Sequence, residues 1–275
     1  MSSEIIEYYS TSFFEDERLR SDIWGSIEWI RTIDIFERYL PPSPASVHDI
    51  GGGTGAYSGW LLEKGYSVTF IDLVPKHVEM ATKKMRGIAE PEKFSSMIGD
   101  ACNLDVADNS TDIVLLMGPL YHLQEKNKRQ RALKEAFRIL KPGGCLFCAI
   151  ISKFASFLDG LNSGYIHDPD FRTIIKGDLK SSCHNNHTNK QEYFTTAYFQ
   201  HPDELNEEML TTGFTKLKMI GIEGTLWASM DLDALKKDAK AWKTAIDFMR
   251  TIESDRSIIG ASPHIMGIGI KPDSL

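Results

Sequence analysis

The 275-residue sequence lacks several features that would place a protein in a broad class. It has no apolar run of the about 18 residues that a membrane-crossing helix needs. Its first residues include acidic side chains and lack the apolar core of a signal peptide. Cysteine is scarce, and the four cysteines do not have the spacing of a disulfide framework. These absences predict a reduced cytoplasmic protein with no membrane partner.

The sequence also lacks an excess of positive charge. The chain has 31 lysines and arginines against 38 aspartates and glutamates, which gives a net charge of -7. Proteins that bind phosphate backbones generally present a basic face, so no nucleic-acid partner is expected. The apolar content of 42% and the mean hydropathy of -0.24 describe an ordinary folded chain with material for a sizeable core.

From residue 45 onward, apolar β-branched runs alternate with helical patterns. Runs such as "SVHDI", "SVTFID" and "TDIVLLMG" predict buried strands, and "PKHVEMATKKM" and "EKNKRQRALKEAFRIL" predict helices between them. The alternation predicts an α/β fold, with a mostly parallel twisted sheet and helices on both faces. Residues 13–40 predict a helical segment ahead of the sheet.

The alternation stops after Ile151 and returns near residue 201. The intervening residues mix aromatics, histidines and asparagines without a period. We therefore expect one domain that consists of an N-terminal helical segment, a core, an inserted cap and the last part of the sheet. These parts span 1–44, 45–151, 152–200 and 201–275. Within the last part, "LDALKKDAKAWKTAIDFMRTIES" predicts one long helix and "HIMGIGIKP" a final strand.

The stretch "HDIGGGTGA" places four glycines between Gly51 and Gly55. Glycine loses more backbone entropy on folding than any other residue, so the cluster indicates a turn with special backbone angles or a close approach. The letters satisfy the dinucleotide pattern G-x-G-x-x-G/A, and Asp72 lies at the distance expected for a ribose contact. The turn alone is therefore compatible with a nicotinamide-dependent oxidoreductase.

With the acid before it, the same turn reads Asp49-x-Gly51-x-Gly53-x-Gly55 and resembles the glycine-rich loop of class I S-adenosylmethionine-dependent methyltransferases. "MIGDA" after the third strand, "LKEAFRILKPGG" before the fifth, and the closing order of helices and strands also resemble that family. The resemblance covers residues 45–151 well and 202–272 more loosely. It favours a methyltransferase and implies a Rossmann-like, seven-stranded sheet whose last strand is antiparallel.

The resemblance implies S-adenosyl-L-methionine as the cofactor. The glycines at 51, 53 and 55 would let the backbone approach its methionine part, and Asp49 would support the turn. Asp72 would accept both ribose hydroxyls, because a carboxylate has two oxygens for a vicinal diol. Leu73 and Val74 could flank the adenine, and Asp100 and Ala101 would lie near its amino group. Met117 is a further candidate for contact with the cofactor.

The N-terminal segment is expected to close over the cofactor. Methyltransferases of this family often supply an arginine there for the cofactor's carboxylate, and a guanidinium fork suits that group. Arg31 is the first candidate and Arg18 the second. Tyr8 or Tyr9 would lie near the transferred methyl group.

The stretch "MGPLYHL" follows the fourth strand at the carboxyl edge of the sheet, where open α/β folds bind ligands. Methyl transfer is an in-line displacement, and a base is needed only if the nucleophile arrives protonated. His122 and Tyr121 are the candidate catalytic residues, since an imidazole accepts a proton near neutral pH. Alternatively, His122 caps the next helix and Tyr121 packs.

The methyl acceptor is expected to be a small molecule. The sequence lacks the Asn-Pro-Pro-Tyr motif of many enzymes that methylate the exocyclic amines of bases, which leaves small oxygen, nitrogen and carbon acceptors open. The aromatic residues of the cap could enclose such a molecule, and Tyr193 and His264 are candidate contacts. A cofactor-binding regulator without turnover is the alternative outside enzymology.

No metal is expected. "CHNNH", residues 183–187, lacks a second ligand cluster and is interpreted as an exposed polar loop. In "CLFC", Cys145 and Cys148 lie three apart on a predicted buried strand, so they would face opposite sides as inert core thiols.

Overall fold

The computed structural model describes residues 6, 8–9, 19, 23–88, 90–188, 190–229 and 231–273. Seven strands form one sheet in the order β3-β2-β1-β4-β5-β9-β8. They are β1 Ser46–Ile50, β2 Ser67–Asp72, β3 Phe94–Ile98, β4 Thr111–Leu116, β5 Leu140–Ile151, β8 Thr215–Gly221 and β9 His264–Ile270. β1 to β5 pair in parallel, and β9 lies antiparallel between β5 and β8. The predicted sheet, with its antiparallel last strand, is confirmed.

Helices connect the strands and surround the sheet. They are α1 Ile23–Tyr39, α2 Ala56–Glu63, α3 Pro75–Met85, α4 Pro119–His122, α5 Lys126–Ile139, α6 Ala155–Asn162, α7 Pro169–Ser181, α8 Pro202–Thr212, α9 Leu232–Lys237 and α10 Ala239–Ile252. In the described part of the chain, none of them is long and apolar enough to cross a membrane.

The long helix predicted over 232–254 is two helices. Asp238 has the extended backbone angles φ -89° and ψ 96°, which end α9. Its carboxylate accepts hydrogen bonds from the backbone N–H groups of Lys240 and Ala241, each at 3.0 Å, and so caps α10. The helical period of the apolar residues continues across this break, which is why the pattern alone predicted a single helix.

The sheet separates two apolar cores, and β5 contributes to both, because successive side chains on a strand point to opposite faces. Cys145 and Phe147 pack into one core with residues of α1 and α2. Leu146 and Cys148 pack into the other with residues of α5 and α8. Burial raises the pKa of the Cys145 thiol to about 12. The two cysteines are core residues on opposite faces, as predicted.

An ion-pair network fastens α1 to the end of α10. Arg31 is fully buried, pairs with Asp34 and Glu253, and donates from Nε to the carbonyl of Ile222 at 3.0 Å. Arg38 donates to Glu253 Oε1 at 2.6 Å. Since Glu253 is also buried, these charges stabilise the fold only as a complete set.

The cap is more ordered than its sequence pattern indicated. It contains α6, α7 and a two-stranded ribbon of β6 Cys183–His184 and β7 Ala197–Tyr198. Tyr193 joins Phe171 of α7 in a small apolar core of its own. The cap is therefore a packed unit with regular secondary structure and not an irregular stretch of chain.

The interpretation of residues 183–187 as an exposed loop is wrong for His184. Only 1% of this residue is exposed. Its Nδ1 lies 2.9 Å from Asp178 Oδ2, and its Nε2 lies 2.8 Å from the carbonyl oxygen of Tyr193. His187 is exposed. His184 thus holds the ribbon against α7, because a buried imidazole needs partners for both nitrogens.

Replacing Glu253 with alanine tests the buried network. The change leaves the Arg31 guanidinium buried with one carboxylate fewer, and breaking a buried pair in this way costs about 3 kcal/mol. We expect urea denaturation to show a free energy of unfolding lower by about that amount. Glu63→Ala, at an exposed position of α2, should change it by less than about 0.5 kcal/mol. Equal effects of the two substitutions would contradict a structural role for the network.

Candidate active site

A pocket lies at the carboxyl edge of the sheet, where the strand order reverses between β1 and β4. Open α/β sheets bind ligands at such switch points. The pocket, called the edge pocket below, is lined by the glycine turn after β1, the ends of β2 and β4, and the N-terminal residues Tyr9 and Leu19. The topology therefore brings together segments that are far apart in the sequence.

The predicted glycines serve three different purposes. Gly51 has φ +69°, and a Cβ there would lie 2.5 Å from Cγ of Pro119, so close packing excludes a side chain. Gly53 has φ +58°, and a Cβ there would meet no atom of the described residues within 4 Å, so Gly53 leaves space in the edge pocket. Gly55 has φ +74° and precedes α2 without lining the pocket. The turn is thus shaped both for packing and for a ligand.

Asp72 ends β2 and is the polar centre of the edge pocket. Its Oδ2 accepts the backbone N–H of Gly53 at 2.9 Å, and its Oδ1 accepts that of Val74 at 2.8 Å. His77 Nδ1 lies 3.2 Å from Oδ1. Each carboxylate oxygen has two lone pairs, so Oδ2 retains one for a ligand hydroxyl, whereas Oδ1 already faces two partners. Asp72 lines the pocket where the ribose is expected.

Asp49 lies behind the turn and does not line the edge pocket. It is fully buried, its Oδ2 accepts the Ser58 hydroxyl at 2.6 Å, and its Oδ1 has no hydrogen-bond partner. Burial raises the pKa of the Asp49 carboxyl to about 6. A Cβ on Gly52 would lie 2.7 Å from this carboxylate, so Asp49 supports the turn from below.

Three of the residues predicted for the adenine side line the edge pocket, namely Leu73, Val74 and Ala101, and so does the cofactor candidate Met117. Asp100 does not line it. Its Oδ1 instead accepts the backbone N–H of Cys102 at 2.9 Å, which tightens the turn after β3, and Gly99 lines the pocket in its place.

Tyr9, Tyr121 and His122 line the edge pocket together. The Tyr9 hydroxyl lies 2.8 Å from His122 Nε2, and the two rings are nearly perpendicular at 5.3 Å between centroids. The Tyr121 ring lies 4.7 Å from the His122 ring. A residue from the N-terminal segment is therefore joined to the candidate base.

A second cavity of about 830 Å³ lies between the cap and the edge pocket. This cap cavity is lined by Tyr193, whose hydroxyl donates to Asp168 Oδ2 at 2.8 Å. Several residues line both cavities, so the two adjoin. They are Tyr9, Glu28, Gly53, His77, Tyr121 and His264.

His264 is the first residue of β9 and is held by Glu223. Its Nδ1 lies 2.5 Å from Glu223 Oε1 and 3.8 Å from Glu28 Oε2. His264 lowers the pKa of the Glu223 carboxyl against the opposing effect of burial, so Glu223 is ionised. An ionised carboxylate only accepts, so Nδ1 of His264 carries a proton and donates it to Glu223.

The prediction that Arg31 binds the cofactor's carboxylate is wrong. Arg31 does not line the edge pocket, and its guanidinium is directed to Asp34, Glu253 and a backbone carbonyl. Its helical register faces the apolar side of α1, where a buried guanidinium requires carboxylate partners. Arg18, the second candidate, lies outside the described residues.

Sequence reasoning missed Glu28, His77 and Glu223. Glu223 could have been predicted, because it lies two residues after β8, Asp72 ends β2, and the carboxyl ends of both strands lie at the same edge of the sheet. His77 lies on the first turn of α3, next to Asp72. Glu28 sits in the middle of a helical pattern, and no local signal distinguishes it from a surface acid.

The sheet order, the reversed β9 and the glycine turn with Asp72 define a Rossmann-like fold built around a nucleoside-containing cofactor. Residues 48–148 match the family described as a methyltransferase domain. The ubiquinone/menaquinone biosynthesis C-methyltransferase UbiE of Haemophilus ducreyi is 31% identical over 190 residues, 66% of this chain and 69% of that protein. The chain belongs to the class I S-adenosylmethionine-dependent methyltransferases.

Two further comparisons agree. The UbiE protein of Ruegeria sp. is 32% identical over 136 residues, 48% of this chain, and the match spans about half, 52%, of that protein. Phosphoethanolamine N-methyltransferase 2 of Haemonchus contortus, solved with S-adenosyl-L-methionine, superposes with a TM-score of 0.57 at 16% identity. That superposition covers 89% of this chain and 53% of that one, and it shows the shared fold. The predicted methyltransferase class and its cofactor are confirmed, and the oxidoreductase alternative is not favoured.

Replacing Asp49 with asparagine tests the buried carboxyl beneath the turn. Its pKa in the folded protein, about 6, exceeds the ordinary 3.8, so the folded state holds this proton more tightly than the unfolded chain does. The stability of the wild type therefore falls as the pH rises through this window. At about 1.4 kcal/mol per pKa unit, the difference in unfolding free energy should shift toward the variant by about 2 kcal/mol between about pH 4 and about pH 7.5.

Urea denaturation across this pH range measures the difference. Asp105→Asn, at an exposed position, should show no comparable shift. A difference between Asp49→Asn and the wild type that does not change with pH would show that the carboxyl titrates normally.

Proposed function

We propose that this chain transfers the methyl group of S-adenosyl-L-methionine to a small-molecule acceptor held in the cap cavity. The observation that carries the proposal is that the cap cavity and the edge pocket share lining residues, among them Gly53 and His264. A nucleophile in the cap cavity would then reach the methyl group directly, and much of the rate enhancement would come from positioning and the exclusion of water. The acceptor atom is an oxygen, a nitrogen or a carbon.

The residues of the edge pocket fit the cofactor. The space at Gly53 would receive its methionine part, the Asp72 carboxylate would accept the ribose hydroxyls, and Leu73 would flank the adenine. When bound, the cofactor supplies an electrophilic methyl group on a sulfonium. The protein's part is to orient that group toward the cap cavity.

His122 is proposed as the base for an acceptor that arrives protonated. His122 lines the edge pocket, and Tyr9 lines both cavities. The hydrogen bond of 2.8 Å between the Tyr9 hydroxyl and His122 Nε2 would let a proton pass from the acceptor through the hydroxyl to the imidazole. Tyr121, against the His122 ring, would fix the orientation of the imidazole.

Replacing Asp72 with alanine tests the cofactor site. The variant loses the expected ribose contacts and the acceptor that holds the Gly53 N–H, so calorimetry should show affinity for S-adenosylhomocysteine lower by about 100-fold or more. Asp105→Ala should bind like the wild type. Wild-type protein that binds NAD(H) but neither sulfur compound would contradict the proposed function.

Replacing His122 with glutamine tests the base. Radiolabelled methyl transfer from S-adenosyl-L-methionine to acceptors that the wild type turns over should fall about 100-fold in kcat. Affinity for S-adenosylhomocysteine should not change. Tyr9→Phe should lower kcat in the same direction, whereas His187→Gln, exposed on the cap, should not. Unaltered kcat in His122→Gln would remove His122 as the base.

A further inference from the structure

The cap holds one aromatic residue in a backbone conformation that residues with a side chain avoid. Phe194, in the loop between β6 and β7, has φ +65° and ψ 178°. This combination is almost confined to glycine, because a Cβ crowds the backbone there. A bulky residue keeps such a conformation only where its surroundings fix it, and strain of this kind clusters at functional sites.

Two polar side chains hold the backbone of Phe194. Asn186 Nδ2 donates to the carbonyl oxygen of Phe194 at 2.7 Å. Asn186 Oδ1 accepts the backbone N–H of Thr188 at 2.9 Å, and this second bond fixes the orientation of the amide. On the other side of the strained residue, His184 Nε2 lies 2.8 Å from the carbonyl oxygen of Tyr193. Both peptide groups of Phe194 are therefore held in place.

These contacts explain the burial pattern of "CHNNH", residues 183–187. His184 is buried and Asn186 is half-buried, whereas Asn185 and His187 are exposed. The two members of the stretch that hold Phe194 thus alternate with two that face outward.

The strained conformation brings the Phe194 ring to the candidate base. Phe194 lines the cap cavity, whereas His122 lines the edge pocket. Their rings are stacked, with 5.8 Å between the centroids and 28° between the planes. The Phe194 ring also lies 6.3 Å from the ring of Tyr121, which lines both cavities. A residue of the cap is thereby in contact with the base of the cofactor side.

We propose that Phe194 is a positioning residue for His122, and that Asn186 and His184 keep its ring in place. The face of the phenyl ring would fix one side of the imidazole and so keep Nε2 directed to the Tyr9 hydroxyl. This inference rests on the proposed function, because it takes His122 as the group that has to be oriented.

Packing of the cap is the competing explanation for the Phe194 ring. The ring also packs against a small apolar cluster of Ile151, Ala155, Ala197 and Phe199. A ring needed only for this packing would affect the stability of the cap and the binding of an acceptor. It would not affect the position of the His122 imidazole, so that position separates the two roles.

Two substitutions that remove the ring test the backbone strain. Alanine keeps the Cβ that crowds the backbone, whereas glycine does not. At an ordinary position the alanine variant is the more stable one, because glycine gives the unfolded chain more freedom. We expect the reverse here, with Phe194→Gly unfolding at a higher urea concentration than Phe194→Ala. Lys180→Gly and Lys180→Ala, at an exposed position of α7, should show the ordinary order, and the same order at Phe194 would overturn the inference.

The position of the imidazole is measured by NMR without an acceptor. In protein that contains isotopically labelled histidine, with and without S-adenosylhomocysteine, the His122 ring resonance is the one that His122→Gln removes. A stacked ring shifts this resonance through its ring current, so Phe194→Leu should move it and Asn186→Ala should move it in the same direction. Phe194→Tyr, which keeps a ring, should leave it near its wild-type position.

The matched control is Asn185→Ala, at the exposed neighbour of Asn186. It should not move the His122 resonance. A resonance that stays in place in Phe194→Leu, or that moves as far in Asn185→Ala as in Asn186→Ala, would overturn the inference.

Kinetics test the consequence with acceptors that the wild type methylates. We expect kcat to fall about tenfold in Phe194→Leu and in Asn186→Ala, because a small displacement of a catalytic group is costly. Affinity for S-adenosylhomocysteine should not change, and Phe194→Tyr should restore most of kcat. The double variant should be no slower than Phe194→Leu, since Asn186 acts through Phe194.

A higher KM for the acceptor with unaltered kcat in Phe194→Leu would assign the ring to cap packing and overturn the inference. Wild-type protein that neither binds S-adenosylhomocysteine nor transfers methyl groups would instead contradict the proposed function. In that case the His122 resonance still decides whether Phe194 and Asn186 orient the imidazole.

Discussion

The hydrogen bonds of Asp72 hold the site together. One carboxylate oxygen holds the glycine turn through Gly53, and the other holds the start of α3 through Val74. The turn after β1 and the turn after β2 are thus fixed by one side chain at the end of β2. His77 is bound to the same carboxylate, and it extends this arrangement to the junction with the cap cavity. The shape of the edge pocket depends on this carboxylate before any ligand binds.

Most of the fold follows from local sequence patterns. Buried parallel strands are continuous apolar runs, so β1, β2, β4 and β5 could be predicted, and α3 has the predicted bounds of Pro75–Met85. The pattern failed where a single polar residue decided the outcome, as at Asp238, whose carboxylate starts a new helix inside an apolar period. It also failed for the cap, where tertiary contacts such as His184 with Asp178 create order without periodicity.

The residues of the candidate site also fall into those that the sequence pattern predicted and those that it did not. Asp72 ends β2, and Gly53 and Tyr121 lie within a few residues of the ends of β1 and β4, so strand ends predicted their position at the sheet edge. Arg31 and Glu28 lie three residues apart on one helix, and only its packing decides which of them faces the site. The pattern favoured the arginine, and the structure places the glutamate there. Which side of a helix faces the site depends on how that helix packs against the rest of the fold. The sequence of the helix alone does not determine it.

The reversal of β9 has a consequence for how the two ligands are selected. Because β9 runs against its neighbours, its amino end lies at the edge where the other strands have their carboxyl ends, and His264 is the residue there. The edge pocket is lined largely by the first half of the chain, and the cap cavity mostly by residues from 151 onward. If the cap cavity holds the methyl acceptor, as proposed, changes after residue 151 would alter acceptor preference while the cofactor half stays the same.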